Sequence, residues 1–447
     1  MEQSRDRIKV ALSHQNSDRI PIDFGSTAVT GIHCRVVEKL REYYKLPFRP
    51  VKIVDSFQML GEVDAELADA MGIDCIGVGG SKDIFNHDTT CLHEQITPWG
   101  QLVLVPEQLN LTPDKKGDVY VYAGGDIDYP PSAVMPEGCF FINAIERQAP
   151  IDEDSLNPQD NLEEFTAITD TELDYYVNMV EKAHQTGRAV VASFGGTALG
   201  DVAFVPGMGL KSPKGIRSVV EWYMSTVMRQ EYLYEVFSRE TDIAISNYEK
   251  LWNALGDKVD VVLTCGTDFG SQESQFCSID TFRNLWLPHY RRMNDWIHSH
   301  TTWKVFKHSC GAIVPFLPVL IEAGFDIINP VQINAKGMDS KMLKKEFGKD
   351  LTFWGGGIDT QRVLPFGTPD EVRRQVLEQC EIFGRDGGFV FNTVHNIQAN
   401  VPVENVVAML DALKIFNRSD LNLCISIKIL SNSVQIELFI ILWVTKL

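Results

Sequence analysis

His308-Ser309-Cys310-Gly311 follow a short apolar run, Trp303-Lys304-Val305-Phe306. Side chains alternate along a β-strand, so His308 and Cys310, two residues apart, face the same side. An imidazole and a thiol side by side, where a strand leaves into a glycine turn, are half of a zinc site. The same triplet also arises by chance, and a buried cysteine is ordinarily inert packing. The pair therefore gains meaning only from what other strand ends bring to it.

Short β-branched runs alternate with amphipathic helical stretches along the chain, as in repeated βα units. The runs are RIPIDFG from Arg19, IDCIGVG from Ile73, AVVASFGG from Ala189, VDVVLTCG from Val259, WKVFKHSC from Trp303, DIINPV from Asp326, LTFWGGG from Leu351 and GFVFNTVH from Gly388. Eight runs, several nearly continuous in apolar residues, predict a (β/α)8 TIM barrel, with parallel strands covered on both faces. In such a barrel, chemistry belongs to the C-terminal ends of the strands and the loops after them. The fourth run leads to Asp268 and Gln272, the fifth to His308 and Cys310, the sixth to Gln332, the seventh to Asp359 and the eighth to His395. Each also has a plain structural reading. Asp359-Thr360-Gln361 suits a helix cap, Asp268 among glycines suits a turn, and a lone histidine after an apolar strand is usually a satisfied core residue. Delivery of His, Cys, His and Asp to one rim by four strands favours function over that sum of coincidences.

The 60 acidic against 41 basic residues leave a net charge of −19, which argues against nucleic acid and anionic membrane surfaces as partners. Nine cysteines are scattered without close pairing, and the charged amino terminus carries no apolar signal segment, so a reducing cytoplasmic setting is expected. Residues 1–417 are predicted to form the barrel. A β-rich insertion after the second strand, about 95–150, is predicted as a β-hairpin over the barrel mouth, with TPWGQLVLVP and GDVYVYAG alternating around a turn at Pro113–Gly117. The last barrel helix is expected to end near Asn417. Residues 418–447 read as an appended tail with no function assigned, its longest apolar stretch far short of the roughly 20 residues a bilayer requires. Cys380, in a helix-like segment, reads as packing.

GTDFGSQ, WLPHY, HSCGAIVPFLPVLIEAGFDIINPVQ, FWGGGIDTQRVLPFGTPDEVRRQV and GGFVFNTVHNIQANVPVENVVAM together resemble the uroporphyrinogen decarboxylase superfamily. The likeness is specific over about 259–415, looser over 4–80 and weak across the insertion. It implies the same barrel and two kinds of activity, cofactor-free tetrapyrrole decarboxylation or zinc-dependent methyl transfer with corrinoid proteins. The decarboxylases carry an Arg-rich segment after the first strand, where this chain has Ser26–Cys34. Their Asp after the second strand is not in register at Gly79–Lys82, although Asp83 is close. The methyltransferases carry H-x-C and a third ligand near the last strand, usually Cys. Here that position holds His395, which the decarboxylases also have.

The resemblance thus implies Zn2+ on His308, Cys310 and His395. Asp268 and His395 are the catalytic candidates, and Gln272, Gln332 and Asp359 the substrate-binding ones. No DxHxxG corrinoid motif occurs in the sequence, so a corrinoid would arrive on a partner protein. A homodimer is a family-level expectation. The alternatives are a uroporphyrinogen decarboxylase and a non-catalytic binding protein on the same barrel.

Overall fold

The computed structural model describes residues 2–431 except 196, with side chains described up to 418. Seven of the eight predicted runs form one parallel sheet. Its neighbours in order are Phe389–Val390, Thr352–Trp354, Ile327–Asn329, Lys304–His308, Val261–Cys265, Ala189–Ala192 and Cys75–Val78. The first run closes the circle without becoming a strand. Ile22 makes a parallel bridge to Phe391 on one side, while its carbonyl accepts from the Asp74 N–H, 2.8 Å, on the other. Pro21 has no N–H to give, Gly25 turns the chain away at φ 91°, and the Ile22 N–H donates to the Asp74 carboxylate, so regular pairing stops after one bridge. The fold is a TIM-barrel-like α/β fold.

Alternate strand residues fill the interior. Cys75, Val191, Val261, Phe306, Ile327, Trp354 and Val390 pack together there, and Ile8 and Leu12 of the helix Ser4–Leu12 plug the end where the strands begin. Stepping two residues on from Phe306 and Ile327 gives His308 and Asn329, which therefore emerge inward at the mouth. The helices between strands start at clear caps. Thr169 with Glu172 and Thr368 with Glu371 are reciprocal capping boxes for Asp170–His184 and Pro369–Phe383. Cys380 lies fully buried in the second of these, as its packing role requires.

The β-rich region differs from the hairpin expected at Pro113–Gly117. Leu102–Pro106 pairs antiparallel with Leu92–Ile96 across the turn at Trp99-Gly100, and in parallel with the earlier Val51–Asp55. Val119–Val121 pairs instead with Ala133–Met135, in a separate three-stranded sheet. Gly100, at φ 84°, supplies the tight reversal, so the nearer segment captures the strand. This region rests on the loop through Phe57, whose carbonyl accepts from the Ile142 N–H at 2.9 Å. The final helix, Val403–Ser431, continues past Asn417, where the sequence reading ended it. The rest of the 418–447 tail, from residue 432, lies outside the described residues. Among the described residues no helix is long and apolar enough to cross a membrane.

Candidate metal centre at the barrel mouth

His308, Cys310 and His395 each present a donor atom, and the three atoms lie within 4.8 Å of one another. Cys310 Sγ is 3.5 Å from His308 Nε2, and the His308 and His395 rings meet nearly at right angles, 5.5 Å between centroids. His308 Nδ1 lies 2.6 Å from Asn329 Oδ1, which leaves Nε2 directed at the sulfur. Asn329 is itself fixed, its amide donating to the Trp354 carbonyl at 2.8 Å. A carbonyl-type oxygen on one ring nitrogen sets the tautomer and frees the other for a cation.

Two neighbouring strand exits hold the H-x-C turn. From one side, Asp268 Oδ1 accepts from the Cys310 N–H at 2.7 Å, and the Ser271 carbonyl accepts from Ala312 N–H at 2.8 Å. From the other, Gln332 Oε1 accepts from the Gly311 N–H at 2.7 Å, and the Asn329 carbonyl accepts from Ser309 N–H at 2.7 Å. Gly311 sits at φ 93°, and a Cβ there would come 2.2 Å from the Gly270 backbone, so this turn requires glycine. The His395 loop is bolted to the segment after the first run. Asn396 accepts from Gly31 N–H at 2.6 Å and donates to the Ala28 carbonyl and to Gln58 Oε1, both 2.8 Å.

Burial pushes both imidazoles down to about 4, Lys307 adding to the effect at His308 and His308 at His395, so both rings are neutral near neutral pH with lone pairs to offer. Burial, and then the nearby Asp268, hold the Cys310 thiol well above its usual range. Burial also raises Asp268. A cation among these groups reverses the thiol's preference. Nitrogen and sulfur ligands of a tetrahedral zinc lie roughly 3.5 Å apart, which matches the 3.5 Å between His308 Nε2 and Cys310 Sγ. Two neutral imidazoles and one thiol converging in this way fit the donor set of zinc.

The other predicted residues take different positions. Gln332 supports the turn through Gly311. Gln272 is exposed and gives only its carbonyl, to Lys336 N–H at 2.9 Å, because the Ser271 N–H closes on the Ser274 carbonyl and turns the side chain outward. Asp359 is buried but spent locally, Oδ1 accepting from Gln361 N–H at 2.7 Å, Arg362 N–H at 3.2 Å and Asn334 Nδ2 at 3.2 Å. It fixes the turn through Gln361 and Arg362, but the helix Val363–Phe366 that follows takes Arg362 as its N-cap, not the Asp359 that the sequence suggested. Asp83 is likewise fixed on its own loop, accepting from the Phe85 and His87 N–H groups at 2.9 Å. Sequence reasoning missed Asn329, although the alternation that placed His308 inward also applies to Ile327 and Asn329. It missed Lys307 as well, a fully buried ammonium whose protons reach the Thr267 carbonyl (2.7 Å), the His308 carbonyl (2.6 Å) and Cys265 Sγ (3.4 Å).

Comparison with known proteins supports this architecture. A methyltransferase from Methanosarcina mazei is 15% identical, covers 93% of this chain and 99% of its own, and superimposes with a TM-score of 0.53, which establishes a shared fold. A β-glycosidase from the hyperthermophile Thermosphaera aggregans (11% identity, 79% and 86% coverage, TM-score 0.34) and the GH53 catalytic domain of Ignisphaera aggregans (13%, 88% and 96%, TM-score 0.32) are looser matches and carry no argument. No curated protein matches the sequence. Residues 257–416, which supply all three donors, match the uroporphyrinogen decarboxylase (URO-D) family. Over that stretch, a little more than a third of the chain, the protein is similar to that family.

Proposed function

We propose that the protein is a zinc-dependent methyltransferase that moves a methyl group between a small-molecule substrate and a corrinoid carried by a separate protein. The observation that carries this reading is the convergence of His308, Cys310 and His395 within 4.8 Å at the barrel mouth. Zinc held by these three residues would supply Lewis acidity, lowering the pKa of a substrate thiol or polarising an ether oxygen. The chain's own residues do the rest. Asn329 presents the Nε2 lone pair of His308, Asp268 and Gln332 hold the backbone of the Cys310 turn, and burial keeps the imidazoles unprotonated. The decarboxylase alternative needs guanidinium forks for a polycarboxylate. The charged groups beside the cluster are Asp268 and the fully committed Lys307, neither suited to that task.

Metal analysis of the purified protein tests the reading. About one zinc per chain is expected, lost in His308→Ala and in Cys310→Ala, together with demethylation of a thioether or ether onto reduced cobalamin. A metal-free protein that decarboxylates uroporphyrinogen would overturn it.

A further inference from the structure

A cavity of about 300 Å³ opens in the β-rich insertion and shares no residue with the metal centre. That volume is at the lower end of small-molecule sites, roughly 300–1,000 Å³. One wall is the segment after Leu102–Pro106, and the other is Val119–Val121 with the turn that follows it. The walls meet where Gly125, at φ 74°, lies against Gln108. A Cβ on Gly125 would come 2.7 Å from the Gln108 Cβ.

Four amide and carboxylate side chains on these walls each have one end fixed and the other unpartnered among the described residues. Asn110 Oδ1 accepts from Thr112 N–H at 2.9 Å and Gln108 Oε1 from Asp88 N–H at 3.3 Å, which leaves both amide NH2 groups free. Asp114 Oδ1 accepts from Lys116 N–H at 2.7 Å and Asp118 N–H at 3.1 Å. Asp118 Oδ1 accepts from Glu137 N–H at 2.9 Å, so both carboxylates keep Oδ2 in hand. Tyr120, 36% exposed, and Tyr122 add ring surface.

This inventory selects among ligands. No lysine, arginine or histidine lines the cavity, so an anion would meet two carboxylates with no compensating cation. Among the described residues no third His, Cys, Asp or Glu donor joins those carboxylates at metal-binding range. An amine would satisfy the carboxylates but face two amide NH2 groups that can only donate. An apolar ligand would strand all four polar ends. A neutral ring bearing several hydroxyls meets every demand, since each hydroxyl both donates and accepts. The C–H face of such a ring is apolar and suits a tyrosine ring.

We propose that this cavity binds a neutral pyranose sugar, its hydroxyls donating to Asp114 and Asp118 and accepting from Gln108 and Asn110, with one face against Tyr120. The assignment is independent of the methyltransferase reading.

The test is saturation-transfer NMR on the full-length protein at millimolar ligand, with zinc content and unfolding temperature measured alongside. The probes are the methyl glycosides of glucose, galactose and mannose, with glucosamine and glucuronate as the charged comparisons. At least one neutral glycoside is expected to bind saturably and more tightly than either charged sugar. Tyr120→Ala should weaken it roughly tenfold through the lost ring face, and Asp118→Asn by a similar factor through the lost charged acceptor. Both variants should keep the zinc content and unfolding temperature of the parent. No saturable binding of any neutral glycoside overturns the proposal. So does tighter binding of glucosamine or glucuronate, or neutral binding that a folded Tyr120→Ala protein retains in full.

Discussion

The two ends of the barrel treat charge in opposite ways. Where strands begin, Asp74, Asp260 and Asp326 each stand just before a strand and accept an N–H from the neighbouring segment: Ile22 at 2.9 Å, Val190 at 3.0 Å and Val305 at 2.8 Å. Each is also matched by a cation. Asp74 meets Arg7 at 2.7 Å and Arg19 at 2.8 Å, Asp260 meets Arg5 at 2.9 Å, and Asp326 meets Lys304 at 2.9 Å. At the mouth, Asp23 and Asp201 receive neutral donors instead, Ser26 with Trp354 and the Ala203 N–H, and burial pushes both carboxyls up to about 6. The two histidines at that end stand near the Asp268 carboxyl, 3.7 Å from His308 Nε2, yet burial keeps both rings neutral. One end ties slats together, and the other holds ionisable groups ready for a ligand, the division expected of this barrel.

Substitutions at each end should break different properties. Cys310→Ala carries the largest effect. Zinc stoichiometry should fall from about one to near zero, forfeiting binding energy on the order of 10 kcal/mol. The metal-free protein's denaturant midpoint should move by no more than roughly 1 kcal/mol equivalent. Asp74→Asn should do the reverse. It leaves the Arg7 and Arg19 guanidiniums without their shared countercharge, and Arg7 keeps only Asp18, so a loss of about 3 kcal/mol is expected in urea unfolding. Zinc per folded chain should be unchanged. A stable Asp74→Asn protein that lost its metal would erase the distinction between the two ends.

Acid should separate them again. His308 and His395 are neutral in the fold down to about 4, against an ordinary histidine value of 6.5, so the unfolded chain binds their protons first. Their contribution is complete above 6.5 and is lost as pH falls from there towards 4. The bottom carboxylate Asp326 is lowered, by its bonds to His298, Val305 N–H and Lys304 against the cost of burial. Its contribution is therefore present above the ordinary carboxylate value and disappears only as pH drops through the lower, folded one. Unfolding midpoints of the metal-free protein between pH 7 and 5 should thus fall more steeply than in the His308→Gln, His395→Gln double variant, by up to about two protons' worth of slope. Identical slopes would place the acid-sensitive groups elsewhere. A smaller effect is expected at Asn329→Ala, which frees the His308 ring to turn. Zinc affinity should weaken by roughly 10- to 100-fold, read by competition with a chelator.

What sequence could show follows from the range of the interactions involved. Period-two alternation is local, so Phe306 inward implies His308 inward, and the Gly311 turn beside it marks the strand exit. The eight apolar runs were legible for the same reason. Partner choice is not local. The alternation in TPWGQLVLVP identifies a strand but says nothing of whether it joins Leu92–Ile96 or the segment after Pro113, since a strand's pattern fits any partner with a matching face. The aspartates that open IDCIGVG, VDVVLTCG and DIINPV were visible as residues, but their role depends on which neighbouring N–H falls opposite each. That is a matter of register across 52 to 70 residues for Asp74 and Asp260. Loop side chains were least legible of all. Gln272 turns outward because of the hydrogen bonds between Ser271 and Ser274 that no spacing rule anticipates.

Asp359 puts the comparison to its finest test, because it lies on the chemical rim yet behaves like a residue of the structural end. Its Oδ1 gathers the Gln361 and Arg362 N–H groups and the Asn334 amide, while its own N–H donates to Gln375 Oε1 at 3.1 Å. A carboxylate so engaged shapes the turn before Val363–Phe366 and has little left for a substrate. Asp359→Ala should therefore cost about 1 kcal/mol of stability, as loss of a turn's side-chain hydrogen bonds does, and leave zinc content and the KM for the substrate where they were. A raised KM with normal stability would instead return Asp359 to the binding role that its place at a strand exit suggested. Position on the rim would then outweigh hydrogen-bond commitment as a guide to function in this barrel.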